Sequence, residues 1–138
     1  MHAFPKFFRT VSASLSVMDG YWHQFTVRWE SSEGDWAIYK DAILQGEGKE
    51  PLFSNGTIPP GTLHIGSRPY SSDVTFAFIG RITSLNVWNY YLSDAEVASI
   101  DRNCGQGLGN LFQWINLKEK VDGQVKVLEP SSCKYEVT

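Results

Sequence analysis

The sequence predicts an all-β protein, an antiparallel two-sheet sandwich with one short helix. Three observations predict it. Short runs of alternating apolar and polar residues recur along the chain, each closed by Gly, Pro, Asn or Asp. Between Phe78 and Ile100 the apolar period changes from two to the helical spacing, and it does so only there. No internal repeat or low-complexity segment interrupts the pattern.

Taken in order, Ala13, Leu15 and Val17 alternate with Ser12, Ser14 and Ser16, which predicts a half-exposed strand. Asp19-Gly20 is a turn signal between two such runs. His23, Phe25, Val27 and Trp29 then form one face of a strand, opposite Gln24, Thr26 and Arg28. On that face His23 reads as a core histidine rather than a catalytic one. The polar loop from Glu30 to Asp35 leads to a return strand, Trp36 to Lys40, and Asp41 to Leu44 begins a second turn. Gln45 to Gly61 is rich in Gly and Pro and reads as mostly loop. It contains Asn55-Gly56-Thr57, an acceptor sequence for N-glycosylation. Leu63 and Ile65 predict a strand ending at Gly66, with His64 pointing to the surface.

The stretch from Phe78 to Ile100 organises the rest. Phe78, Gly80 and Ile82 share one face at period two, and Leu85 and Val87 continue it out of phase. A bulge near Thr83 and Ser84 would bring both sets to the core. Ser93 followed by Glu96 is a capping box, and Leu92 and Val97 are spaced as a hydrophobic staple around it. Val97 and Ile100 make one face of a helix of about two turns. Leu111 to Leu117 and Gln124 to Leu128 predict the last strands, with a charged turn at Lys118 to Gly123 between them.

Composition bounds the partners. The chain has 138 residues, one domain by length, and 14% of them are aromatic. Its formal charge is −3 and Lys and Arg form no run, so nucleic acid is a poor partner. No apolar run approaches the ~18 residues of a membrane span, so insertion into a bilayer is not expected. Residues 1–10 carry Phe4, Phe7 and Phe8, but Pro5, Lys6 and Arg9 break the apolar run of a secretory signal.

Asn86-Val87-Trp88-Asn89 leading into Tyr91-Leu92-Ser93-Asp94-Ala95-Glu96-Val97 resembles the signature segment of the pentraxin family. Further matches stand in the family's order: Gly20 to Phe25 with Trp29, Trp36 to Asp41, Ile58 to Gly66, and Gly109 to Trp114. The likeness runs from about Ala13 to Cys133 and is specific as a set. It is greatest to the pentraxin modules of large mosaic extracellular proteins. It implies a two-sheet jelly roll of the concanavalin A and laminin G kind. Residues 13–138 then correspond to the C-terminal two-thirds of the usual module, and residues 1–12 form a segment of unassigned role. A module short of its first strands is expected to self-associate through unpaired strand edges, unless Phe4, Phe7 and Phe8 cover them.

The resemblance also implies chemistry. Cysteines at Cys104 and Cys133 pair in similar mosaic proteins, and a loop of that size gains roughly 3.6 kcal/mol in the chain-entropy model. Parity alone leaves two unrelated thiols open. Thr26 stands where short soluble pentraxins carry Cys. Pentraxins bind calcium through carboxylate and amide oxygens. Here the run after Ile65-Gly66 is Ser67-Arg68-Pro69-Tyr70, in which Arg68 and Tyr70 are the wrong chemistry, leaving Asp73 with Ser72 as a weak candidate. No cofactor is therefore expected. The cluster Glu30, Glu33 and Asp35 lacks the sheet-face pattern of a glycosidase, so no catalytic residue is assigned. The expectation is a non-enzymatic, extracellular recognition or adhesion module for a protein or glycan ligand. A carbohydrate-active enzyme on the same fold, or a structural spacer, is the alternative.

Overall fold

A computed structural model describes residues 12–58, 60–66, 77–103 and 108–129. Its centre is a three-stranded antiparallel sheet in the order β1-β2-β3, with β1 at Phe25–Glu30, β2 at Asp35–Lys40 and β3 at Ile43–Lys49. One helix, α1, spans Asp94–Arg102. In β1 and β2, β-branched and aromatic residues meet in register: Val27 opposite Ile38, and Trp29 opposite Trp36.

The turn joining β1 to β2 depends on Gly34. Its φ is +81°, and a Cβ there would lie 2.2 Å from the Glu50 carbonyl oxygen, so neither the conformation nor the space admits a side chain. The turn joining β2 to β3 has positive φ at both central residues, Asp41 at 51° and Ala42 at 60°. That is the primed turn of tight hairpins, which usually carries Asn-Gly or Asp-Gly. The turn produces β3, which corrects the expectation of loop from Gln45 onward. The strand was hidden by Ala42 in the glycine position and by Gly46 and Gly48 inside the strand itself. The ring of Trp36 packs over both glycines.

The core lies where the sheet meets α1. Ala37, Tyr39, Leu92 and Val97 are buried together, with Ala42, Trp88 and Ile100 packed against them. Val97 is 1% exposed. The capping box is formed as the sequence predicts: the Glu96 amide donates to Ser93 Oγ at 3.2 Å, and the Ser93 amide donates to Glu96 Oε2 at 2.7 Å. The staple is also formed, since Leu92 and Val97 share the core on either side of the cap. Burial of two such side chains contributes about 1.5–3 kcal/mol each.

The buried face of β1 is the opposite of the expected one. Arg28 is buried and Thr26 half-buried, whereas Phe25 and Val27 are exposed, Val27 to 68%. The reason is Arg28, whose guanidinium is 4.6 Å from the ring centroids of both Tyr39 and Tyr91. It donates to the Leu92 carbonyl at 2.8 Å and to the Tyr39 hydroxyl, and pairs with Asp94 at 2.8 Å. Tyr39 Oη in turn donates to Asp94 Oδ1 at 3.3 Å. Asp94 is the first residue of α1, so the arginine ties the sheet to the start of the helix.

Beyond the sheet, several expected strands are extended segments without a ladder. Ala13 and Leu15 turn inward while Ser12, Ser14 and Ser16 stay exposed; Ala13 lies against Gly46 of β3, but residues 12–18 form no strand. Phe78 meets the Leu63–Gly66 segment through one backbone bond, Phe78 N to Gly66 O at 2.8 Å. Phe78 and Ile79 are both exposed, so no face is favoured. The register break expected at Thr83–Ser84 has a counterpart in Ser84, whose φ is 57°. Val87 makes an isolated antiparallel bridge with Phe112. The strand expected from Leu111 to Leu117 stops there because Asn86 Oδ1 accepts the amides of Gly109 and Trp114, at 3.1 and 3.2 Å. A side chain thus takes the place of a partner strand, and Trp114–Asn116 becomes a 3-10 turn. Gln124 to Leu128 is exposed and forms no strand; Gly123-Gln124 is a turn closed by the Val125 amide donating to Asp122 O at 3.4 Å.

Candidate functional site

The most exposed cluster of large side chains in the described N-terminal part is the turn Met18–Trp22. Met18 is 96% exposed, Tyr21 79% and Trp22 51%. Such side chains are normally buried, and Tyr and Trp are the residues most often found at the energetic centre of interfaces. The turn is built by Asp19-Gly20. Gly20 has a φ of +80°, and Asp19 Oδ1 accepts the Tyr21 amide at 3.0 Å.

His23 fixes this turn to the sheet. Its Nε2 meets Asp19 Oδ2 at 2.8 Å and its Nδ1 meets Asp41 Oδ2 at 2.7 Å. The Asp41 carboxylate also accepts the Gln24 amide at 2.9 Å, and the Asp41 amide donates to the Gln24 carbonyl at 2.9 Å. The histidine therefore joins the Met18–Trp22 turn to the β2–β3 turn. Both ring nitrogens face carboxylates, so the imidazolium satisfies both. Hydrogen bonds to Asp41 and then Asp19 hold the His23 pKa above its usual value. The Tyr21 amide, then His23, holds Asp19 below its usual value. Burial raises Asp41, but the Gln24 amide and His23 outweigh it and leave it lowered. His23 is thus surrounded by carboxylates rather than by an apolar core. With neither nitrogen free, it has no lone pair to offer as a base.

The other acidic cluster is also committed. Glu30 accepts the Ser32 amide and hydroxyl, each at 2.8 Å, and these contacts lower its pKa. Glu33 pairs with Lys49, whose Nζ lies 3.6 Å from Asp35 Oδ1. The paired acids of a glycosidase need one free carboxylate and one free carboxylic acid facing a sugar. Here each carboxylate of Glu30 and Glu33 ends on a turn or a lysine.

His64 is exposed, as expected, and so is Asn55. Cys104, Cys133 and Asp73 lie outside the described residues, as does the run Ser67–Tyr70. Among the described residues no group of three or more His, Cys, Asp or Glu is placed to hold a metal ion. None of the described helices is long and apolar enough to cross a membrane. Sequence reasoning passed over Met18, Tyr21 and Trp22 as a site. The available signal was an Asp-Gly turn flanked by large apolar residues where polar ones are usual.

Residues 5–98, more than half of the chain, match a laminin G-type family described as the concanavalin A-like lectin/glucanases superfamily. The chain belongs to this superfamily. Within it, this concanavalin A-like chain is similar to proteins with pentraxin in their names. It is 32% identical over 118 residues to the sushi, von Willebrand factor type A, EGF and pentraxin domain-containing protein 1 of Rattus norvegicus. That alignment covers 81% of the chain and 3% of the relative. It is 30% identical over 124 residues to the neuronal pentraxin receptor of Rattus norvegicus, covering 87% of the chain and 25% of the relative. Against neuronal pentraxin-2 of Homo sapiens it is 28% identical over 125 residues, covering 87% and 29%. The concanavalin A-like chain therefore spans less than a third of each of these relatives. The pentraxin resemblance of the signature segment and the all-β fold class both stand.

Proposed function

We propose that this pentraxin-like module is a non-enzymatic, extracellular recognition element that binds a protein or glycan ligand through the Met18–Trp22 turn. The observation that carries this is the pairing of exposure with anchoring. Tyr21 and Trp22 face solvent on a turn pinned by two charge-assisted contacts of His23. A preordered aromatic turn loses little entropy on binding. Relatives whose names describe a receptor and a mosaic of sushi, von Willebrand factor type A, EGF and pentraxin domains support the setting. The same setting supports a disulfide between Cys104 and Cys133. Loss of the family's calcium ligands at Arg68 and Tyr70 supports recognition without tight calcium binding.

A glycan array and a screen against secreted proteins test the reading. The expected result is a ligand for the intact chain that is lost when Tyr21 and Trp22 are both changed to Ala. A ligand retained in full by that variant would place recognition elsewhere. No ligand from either screen would favour a spacer module. A parallel hydrolase assay on glucans addresses the glucanases in the superfamily's name, and turnover there would replace recognition by catalysis.

A further inference from the structure

We infer that Asn55 is an N-glycosylation site, built at the end of the sheet opposite the Met18–Trp22 turn. Asn55-Gly56-Thr57 is the only Asn-X-Ser/Thr triplet in the chain. Such a triplet is common by chance, so the local structure decides the matter. Asn55 and Thr57 are both exposed, and neither side chain makes a hydrogen bond among the described residues. Asn55 has a φ of 52°, the left-handed turn conformation that Asn adopts more readily than most residues.

The backbone beneath is held in place. The Asn55 amide donates to the Ser31 carbonyl in the β1–β2 turn, and the Glu50 amide donates to Gly34 O at 3.0 Å. Ser54 Oγ donates to Pro51 O at 2.6 Å. Gly56 rests on Trp29: a Cβ built there would lie 3.5 Å from Trp29 Cζ2. The acceptor amide and the Thr57 hydroxyl are thus presented by an anchored loop beside a tryptophan ring.

The donor is a polyisoprenyl diphosphate-linked oligosaccharide, the co-reactant of the secretory pathway. The Asn55 amide nitrogen forms a bond to the anomeric carbon, and the bond from that carbon to the diphosphate oxygen breaks. The nitrogen gives up one proton to a transferase base, and the lipid diphosphate leaves. Asn55 stands beside Ser31 at one end of β1, whereas Asp41 and His23 stand at the other. Six residues of strand separate the two by roughly 20 Å, so a glycan at Asn55 leaves the aromatic turn uncovered.

This inference rests on the extracellular reading, and the test keeps the two apart. The full chain is expressed behind a cleavable signal peptide in mammalian cells, and the secreted protein is mapped by mass spectrometry with and without peptide N-glycosidase F. The expected result is an oligosaccharide on Asn55, removed by the enzyme with conversion of Asn55 to Asp. Thr57→Ala should abolish it and Thr57→Ser should retain it. Because Thr57 is exposed, neither change threatens folding. Secreted wild-type chain with unmodified Asn55 would overturn the site while leaving the recognition turn untouched. A glycosylated chain that binds no ligand would do the reverse.

Discussion

Two regions of the sheet use their large side chains in opposite ways. At the junction with α1, Arg28 stacks on Tyr39 and Tyr91, and Arg28 and Tyr39 both reach Asp94, the first residue of the helix. At the Met18–Trp22 turn, residues of similar size stand in solvent. Both regions are rigid, but for different reasons. The junction is rigid because its side chains are consumed by packing. The turn is rigid because a small polar clasp, Asp19–His23–Asp41, does the holding and leaves the aromatics free. Polarity is therefore a poor guide to which residue is structural: the buried anchor is an arginine, and the exposed group is Met, Tyr and Trp.

The largest effect that would break this comparison is at the junction. Arg28→Ala should cost about 1–3 kcal/mol, because it leaves the Leu92 carbonyl without its donor and removes the side chain stacked on Tyr39 and Tyr91, while the exposed Asp94 is left to water. Urea melts measure it. A cost near that of a surface substitution would show that the stacked arginine contributes no net stability. Ser93→Ala removes one side of the capping box and should cost about 1 kcal/mol in the same melts. An unchanged midpoint would mean that Leu92 and Val97 alone hold the start of the helix.

Ala42→Gly acts at the other end of the hairpin. Ala42 occupies a left-handed conformation that costs a residue with a Cβ about 1–2 kcal/mol. Its methyl also touches the core, so the net gain expected in a melt is smaller, about 0.5 kcal/mol after that contact is subtracted. Loss of stability instead would rank the contact above the strain.

The clasp predicts a pH dependence. His23 is raised, so its contribution is complete below the ordinary histidine value of about 6.5 and fades as pH rises through the raised value. Asp19 and Asp41 are lowered, so theirs is complete above the ordinary carboxylate range and is lost only as pH falls through the lowered values. Melting temperatures of wild type and His23→Ala, compared across mildly acidic to alkaline pH, should converge on the alkaline side. A constant gap would mean that the histidine holds the turn by shape rather than by charge.

How much of this was legible in the sequence depended on range. The start of α1 was fully legible, because Ser93, Glu96, Leu92 and Val97 act on one another within a single turn. The β1–β2 hairpin was legible from its alternation, but the side it buries was not. Nothing local marks Arg28 as buried, since its partners Tyr39, Tyr91, Leu92 and Asp94 arrive from distant positions. The third strand was hidden by an alanine in a glycine's place. The clasp needed Asp19 and Asp41 to meet across two turns, and alternation carries no information about that. The ends of the expected strands near Trp114 were set by one Asn86 side chain, which no periodicity reveals.

The division of labour between junction and turn is tested most directly by one variant in two assays. Tyr21 and Trp22 are changed together to Ala, and the variant is carried through a urea melt and through binding to the ligand found for the wild type. The prediction is a stability within about 0.5 kcal/mol of wild type, as for exposed sites generally, with binding weakened by at least about tenfold, a loss of about 1.4 kcal/mol. Unchanged binding, or a melt lowered as far as that of Arg28→Ala, would contradict it.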